Sequence, residues 1–284
     1  MARCYETWER DDPRYPAAFQ DLSSPPRRLW ALGDARILER AQIAVVGTRR
    51  PTLYGARVAR QIGYALGEAG ACVVSGLASG IDTAAHDGAL DAKGRTCAIL
   101  GTGMGVTYPA GNRPLQERIA DVGLLLSEYA PGQPAAPWTF PQRNRLIAAL
   151  ARATIVVEAG KKSGALITAA IADDLGRTVA AVPGPIDAPQ AAGSNGLIRD
   201  GATVIADIDD ALLLIGARVV AVTAPPQLEE NEAKVWEVLA EGAGDIDFVA
   251  MKSRLPVAHC MTALTNLELA GMVASDLMGT FRRA

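Results

Sequence analysis

The chain has 284 residues, 49% of them hydrophobic and 21% charged, with a formal net charge of −3. That length suits one large domain and one small one, and that balance is that of a soluble globular protein, not a disordered or wholly basic one. No apolar run approaches the ~20 residues of a membrane span, and MARCYETWERDD lacks the apolar core of a signal peptide, so no membrane contact and a cytoplasmic location are expected.

Residues 1–42 precede the first clear strand. The stretch DDPRYPAAFQDLSSPPRRLWALGD carries prolines, polar turns and the apolar anchors Phe19, Leu29, Trp30 and Leu32. It reads as an extension packed on a sheet, with a short helix at Pro16–Leu22.

Over residues 43–216, apolar runs alternate with helical stretches. Strands are expected at Ile43–Val46, Cys72–Ser75, Thr96–Leu100, Leu124–Ser127, Thr154–Val157, Thr178–Val182 and Thr203–Ala206. Helices are expected at Ala56–Glu68, Thr83–Leu90, Arg113–Ala120, Arg145–Ala151 and Ala165–Leu175. Runs such as AVV, CVV and IVV are continuously apolar, as in strands buried on both faces. Their alternation with helices predicts an α/β fold with a doubly wound, mostly parallel sheet. Gly70, Gly123 and Gly176 fall where helix C-caps belong.

Residues 217–227, ARVVAVTAPPQ, read as a linker because Pro225 and Pro226 stop any helix. Residues 228–284 then show helical periodicity at Val235 and Leu239, Ile246 and Val249, and Leu264 and Leu267. MVAS, a turn at Asp276–Gly279 and TFRR follow. Three helices and a hairpin predict a small winged-helix domain. Its third helix, roughly Val257–Ala270, has no Lys or Arg, so protein contact or folding is expected of it, not DNA readout.

In an open α/β sheet, ligands bind beyond the C-terminal ends of the strands. There the chain places Gly47, Thr48, Arg49 and Arg50; then Ser75, Gly76 and Gly80 within SGLASGID; then GTGMG; then Lys161, Lys162, Ser163 and Gly164 within EAGKKSGALITA; then PGPID. Backbone N–H groups, helix N-termini and cations in such loops make anion sites, and five of them on one rim predict an anionic ligand. Arg49 and Arg50 carry the sharpest signal, because guanidinium groups grip phosphate and stack on bases. For Arg50 an ordinary ion pair stands equally open. Asp82 is expected to cap the alanine-rich helix, with His86 one turn on, as a structural pair. WTFPQRNRLIAAL supplies Phe140, Arg143, Asn144 and Arg145, charge beside an aromatic, which suits a single strand. Tyr54 and Trp138 lie near the rim, and core packing is the expected fate of Tyr108.

GTGMG lacks the GxGxxG spacing, and neither GxxxxGK[ST] nor GxSxG occurs. Four scattered cysteines and two histidines offer no disulfide framework or metal cluster. No catalytic residue, metal or cofactor is expected. From Ala217 on there are 6 basic and 9 acidic residues, against 22 of each before it. A nucleic-acid site is therefore expected as a local patch in the first part.

Taken in order from about Tyr15 to Gly216, PPRRLWALGD, VVGTRRPTLYG, VVSGLASGIDTAAHDGAL, GTGMGVTYPAGN, GLLLSEYAPG, FPQRNRLIAAL, VVEAGKKSGALITAA, VPGPID and GSNGLIRDGA resemble the DprA/Smf family, the DNA-processing proteins of bacterial natural transformation. The resemblance implies an extended Rossmann-like domain that binds single-stranded DNA, homodimerises, protects the incoming strand and loads RecA onto it. It implies no enzyme activity and no nucleotide cofactor. It further implies that Arg49, in the glycine–threonine–arginine turn, forms the DNA pocket with Phe140 and the Arg143–Arg145 run, and that the tail is the family's winged-helix domain. The chain departs from the pattern in places. Residues 1–42 are too short for the helical domain many members carry, and Thr48 replaces a common serine. Ala165 stands where SGSLITA is usual, and Pro137-Trp138 stands where some relatives place a lysine. An alternative reading is an enzyme similar to nucleotide phosphoribohydrolases, whose rim is also glycine-rich. Their PGGxGTxxE loop differs from EAGKKSGALITA, where Glu158 precedes the glycine and lysines fill the middle. A dimeric scaffold that binds no nucleic acid is a third reading.

Overall fold

Strands covered on both faces must be apolar throughout, and that requirement organises the larger part of this chain. The computed structural model describes residues 4–216, 228–240, 242–269, 272–276 and 279–283. The expected linker, 217–227, and part of the expected hairpin turn lie outside the described residues. The chain divides into two compact units, 1–219 and 220–284.

In the first unit the strands are β1 (Glu6–Glu9), β2 (Arg28–Gly33), β3 (Gln42–Val46), β4 (Cys72–Ser75), β5 (Arg95–Ile99), β6 (Leu124–Ser127), β7 (Ala153–Val156), β8 (Thr178–Ala181) and β9 (Thr203–Val204). The helices are α1 (Leu53–Glu68), α2 (Ile81–Asp91), α3 (Arg113–Val122), α4 (Thr139–Leu150), α5 (Gly164–Asp174), α6 (Ala192–Arg199) and α7 (Ile208–Leu213). One sheet runs β1-β2-β6-β5-β4-β3-β7-β8-β9, with β3 to β9 parallel and β1 and β2 antiparallel at one edge. Strand order reverses at β3: the chain first winds outward through β4, β5 and β6, then restarts at β7 on the other side. The loops after β3 and β7 therefore flank the crevice where open α/β sheets hold ligands.

Alternate residues serve two cores. Ile43 and Val45 of β3 pack with Ile62 and Leu66 of α1 and Ala85 of α2. Ala44 and Val46 pack with Leu146 and Ile147 of α4 and Ala169 of α5. A third cluster holds α3 to the sheet through Leu115, Ile119 and Leu125.

The structure departs from the sequence reading at three points. The N-terminal extension joins the sheet: β2 pairs with β6, Trp30 opposite Ser127, and Leu29 is fully buried. The expected helix at Pro16–Leu22 is a short 3-10 turn, Ala17–Asp21, that buries Phe19. Helix α4 begins at Thr139, well before Arg145. Pro141 falls in its first turn, where no intrahelical donor is needed, and Thr139 Oγ1 donates to Ala136 O at 2.8 Å.

The second unit contains α8 (Glu230–Val238), α9 (Ile246–Ser253), α10 (Val257–Leu269), β10 (Val273–Ser275) and β11 (Phe281–Arg283). Val235, Val249, Cys260, Leu264, Leu267 and Val273 form its core. The strands pair antiparallel, and α10 carries no Lys or Arg.

Helices α1 and α2 approach closely because small residues face each other. A Cβ on Gly88 would lie 2.0 Å from Arg60 O, and one on Gly63 would lie 2.3 Å from Ala85 O. Gly88→Ala gains about 1 kcal/mol of helix propensity. Against that, overpacking costs about 1–3 kcal/mol, and at 2.0 Å from a backbone oxygen that cannot rotate aside the cost falls at the upper end, about 2–3 kcal/mol. A net loss of about 1–2 kcal/mol in urea unfolding is expected; an unchanged or raised midpoint would refute the close approach.

Candidate functional site

Helix α1 begins at Leu53 because Thr52 caps it, accepting from Gly55 N–H at 3.1 Å. Beside that cap lies Glu158, the second residue beyond β7. Its carboxylate accepts from Thr52 N–H at 2.9 Å and from Thr52 Oγ1 at 2.5 Å. Its carbonyl accepts from Thr48 N–H at 2.7 Å. The chain's own anion thus occupies the electropositive end of α1. The turn between Gly47 and Thr52 is fixed, with Thr48 Oγ1 accepting from Arg50 N–H at 3.2 Å.

From this fixed turn, Arg49 and Arg50 project exposed. The Arg49 guanidinium lies 4.8 Å over the Phe140 ring, and Phe140 meets Tyr108 at 5.1 Å with a 38° tilt. Lys161 and Lys162 are exposed on the loop after β7. None of these four cations has an ion-pair partner among the described residues. Arg49 borders three clefts. One of about 430 Å³ opens toward Lys162 and Gly164, one of about 200 Å³ toward Ser79 and Thr102, and one of about 440 Å³ toward Ala136 and Ile167.

Arg143 lies beneath the clefts, only 3% exposed. Its guanidinium donates to Gly76 O at 2.5 Å and to Ile99 O, tying α4 to the ends of β4 and β5. A Cβ on Gly76 would come within 2.4 Å of Arg143 Nη1, so only glycine leaves the guanidinium its seat. Asp82 accepts from Gly76 N–H at 3.0 Å and Ala78 N–H at 3.4 Å. Burial pushes Arg143 down to about 10, as does the charge of Arg49, while Asp82 opposes the shift; Arg143 stays cationic at neutral pH. Burial pushes the Asp82 carboxyl up, against the pull of Arg143.

The structure gathers Gly47, Thr48, Arg49, Arg50, Phe140, Asn144, Lys162, Ser163 and Gly164 around the clefts, with Lys161 adjoining. Gly80, at φ 89°, precedes α2 and presses on the Thr48–Arg49 backbone. Tyr54 is exposed in the first turn of α1, its hydroxyl 3.4 Å from Pro183 O. Two expected contact residues, Ser75 and Arg145, stand elsewhere, and a third lies at the site with its guanidinium committed. Ser75 is fully buried and donates to Val45 O at 2.7 Å. Arg143 lines two of the clefts from below, its guanidinium spent on the Gly76 and Ile99 carbonyls. Arg145 points away, paired with Glu128 and donating to Ser24 O at 3.0 Å. Successive helical residues diverge by about 100°, so Arg143, Asn144 and Arg145 on α4 cannot share a direction. Asn144 lies within α4 and does not cap it; its amide donates to Gly164 O at 3.3 Å.

Two other expectations fail. Asp82 does not cap α2, because Gly80 holds that position and the carboxylate turns back to the preceding loop. Tyr108 is 47% exposed and stacks on Phe140 instead of joining the core. His86 is fully buried, with Nδ1 2.6 Å from Thr96 Oγ1. The role of Glu158 was missed, since its partner Thr52 is 106 residues away; the one signal available was an acid directly after a buried strand.

Known proteins resemble the chain throughout this region. The family model described as DNA recombination-mediator protein A matches residues 6–216, and the DprA winged helix domain matches residues 220–276. A putative DNA processing protein DprA of Mycobacterium tuberculosis is 46% identical over 257 residues, 87% of this chain and 66% of that protein. The chain thus spans just under two thirds of that relative's length. The DNA processing protein DprA of Bacillus subtilis is 40% identical over 213 residues, 75% of this chain and 72% of that protein. The X-ray structure of DNA processing protein A from Streptococcus pneumoniae aligns with TM-score 0.71 and 40% identity over 74% of each chain. A structure of DNA processing protein A from Helicobacter pylori, described for its single-stranded DNA binding mode, aligns with TM-score 0.69 and 31% identity, over 76% of this chain and 97% of that one. The chain belongs to the DNA recombination-mediator protein A family, DprA/Smf.

Arg143→Met leaves the buried Gly76 and Ile99 carbonyls without this donor, and an unsatisfied buried acceptor costs about 1–3 kcal/mol. Urea unfolding is expected to show that loss, with Arg143→Lys intermediate; a loss under about 1 kcal/mol would reject the tie. His86 generates a pH dependence. Burial holds its pKa at about 3, against 6.5 in an unfolded chain. The unfolded state therefore takes up a proton that the fold refuses, and stability is lost as pH falls below 6.5. The loss attributable to His86 reaches about 2 kcal/mol by pH 5. Asp82 acts in the opposite sense, because the fold keeps its proton to higher pH. Comparing wild type with His86→Gln isolates the histidine: the variant's stability is expected to fall less between pH 7 and pH 5, and parallel curves would reject the assignment.

Proposed function

We propose that this DprA/Smf family member binds single-stranded DNA across the rim of its parallel sheet, shields the strand and loads RecA onto it during natural transformation. One observation carries the reading. Arg49 lies over Phe140, which meets Tyr108, and Arg49, Arg50, Lys161 and Lys162 are exposed cations without ion pairs among the described residues.

The chemistry suits a single strand. Its phosphates run as a line of separate charges, and side chains reach several of them at once. Its unpaired bases present faces on which Phe140 and Tyr108 stack, and stacking tolerates any sequence. Arg49 serves both needs, since its guanidinium lies on an aromatic face and still offers donors to phosphate. The H. pylori relative, described for its single-stranded DNA binding mode, supports the same ligand. RecA transfer, homodimerisation and a cytoplasmic setting follow from the family resemblance. We read the chain as a non-enzyme: a phosphoribohydrolase needs a free carboxylate at the loop after β7, and Glu158 is held by Thr52. In the second unit, α10 without Lys or Arg fits a protein contact better than a DNA groove.

Arg49→Ala is expected to weaken strand binding about tenfold in mobility-shift titrations, by analogy with the loss of one charged hydrogen-bonding group. The slope of log affinity against log salt should shrink by about 0.7 for each phosphate that the variant no longer neutralises. Unfolding midpoints should stay put, because the Arg49 side chain is exposed. RecA loading scored on the same samples should fall with binding. Unchanged affinity and slope in a folded variant would reject the site.

A further inference from the structure

The cleft between the β3 turn and α5 has a closed floor. Val46 is 4% exposed there, Ile147 1% and Thr168 1%. Thr168 lies one turn into α5, and its hydroxyl has no hydrogen-bond partner among the described residues. It does not bond the Gly164 carbonyl one turn back, as a threonine in a helix commonly does. Nor is its oxygen sealed away, so a polar atom on a buried side chain faces the cleft with no protein partner among the described residues. Its hydroxyl is therefore free to bond whatever enters.

Above Thr168 stands the start of α5, an 11-residue helix capped by Ser163. The N–H of Gly164, its first residue, has no acceptor within the helix. Lys162 and Arg49 stand at the mouth. Asp82 forms one wall, but its carboxylate is turned to Gly76 and Ala78, and Arg143 beside it offsets the charge. The cleft, about 430 Å³, is large enough for one nucleotide.

An internal phosphodiester has chain on both sides and cannot reach a closed floor without folding back. A phosphomonoester has chain on one side only. It carries up to two negative charges and three acceptor oxygens. Resting on the strand-binding reading above, we infer that this cleft takes a phosphomonoester, either the phosphorylated end of a strand or a free nucleoside monophosphate. Thr168 Oγ1 and Gly164 N–H donate to its oxygens, and Lys162 and Arg49 balance its charge. Seated so, a strand end is withdrawn from solvent, and the bound strand acquires a direction.

The test compares internally labelled oligothymidylates by fluorescence anisotropy: hydroxyl at both ends, 5′-phosphate, 3′-phosphate, and a circle. One phosphorylated end is expected to bind about tenfold more tightly than the unphosphorylated oligomer. Thr168→Val keeps the shape and removes the hydroxyl. It is expected to abolish most of that preference while leaving affinity for the circle unchanged, and Thr168→Ser is expected to restore it. Thymidine monophosphate supplies the second arm. If it displaces the phosphorylated oligomer from its preference and binds alone by calorimetry, the cleft accepts free nucleotide as well. Equal affinity for phosphorylated and unphosphorylated ends, with no monophosphate binding, overturns the inference while strand binding itself stands. If no strand binds, circle included, the strand-binding reading fails, and monophosphate calorimetry still decides the cleft.

Discussion

The contact between Glu158 and Thr52 sets the terms for everything at the rim. A doubly wound sheet ordinarily offers the N-terminus of its first crossover helix to a phosphate. Here a carboxylate from the loop after β7 already fills that position, bonded to both the N–H and the hydroxyl of the cap residue. The same residue's carbonyl holds Thr48, so the loops after β3 and β7 are one unit. With its backbone donors committed, the turn can offer an anion little except side chains. That is why Arg49 and Arg50 stand where a dinucleotide fold would show glycines. Across the crevice, α5 keeps the N–H of its first residue, Gly164, without an acceptor in the helix, which leaves an electropositive end on the Lys162–Gly164 side.

Beneath this surface the glycines of the rim act as seats for large groups, not as phosphate cradles. Gly76 receives the Arg143 guanidinium, and Gly101 lies against the Phe140 ring. Both groups come from the first turns of α4, so one helix is keyed into the ends of two strands. Burying a guanidinium costs desolvation, which the bonds from Arg143 to two carbonyls offset. Its return is rigidity: Phe140 is held in place before any ligand arrives, and Arg49 rests on Phe140. Groups fixed in advance lose less freedom on binding.

The parallel sheet was legible because strands buried on both faces leave unbroken apolar runs, as in CVVS and LLLS. The rim loops were legible because strand order alone places them. What escaped was direction. Arg143, Asn144 and Arg145 read as one basic cluster, yet they diverge once α4 is seen to begin at Thr139. A proline in a first turn looks like a breaker in sequence and costs little in the helix. Tyr108 escaped because aromatic residues in short chains mostly pack inward, and only its stack on Phe140 shows otherwise. The N-terminal strands escaped because RLWALG pairs with a strand about ninety residues on, and edge pairing leaves a weak signature. Glu158 escaped for the same reason of distance: local propensity carries nothing about a partner in a different crossover.

Net charge misleads about this molecule, and the reason is screening. The first part of the chain has equal numbers of acids and bases, which suggests a neutral surface. Many of those charges cancel in place, as in Arg14 with Asp12, Arg28 with Glu9, Arg60 with Asp91, Arg118 with Asp87 and Arg177 with Asp21. A cancelled pair has almost no field beyond its own length. At physiological salt even a free charge reaches only about 8 Å. A ligand approaching the rim therefore meets Arg49, Arg50, Lys161 and Lys162 with little opposition from the acids elsewhere. Summed over the chain the charge is slightly negative; at the loops after β3 and β7 it is positive, because there the cations have no ion pairs among the described residues.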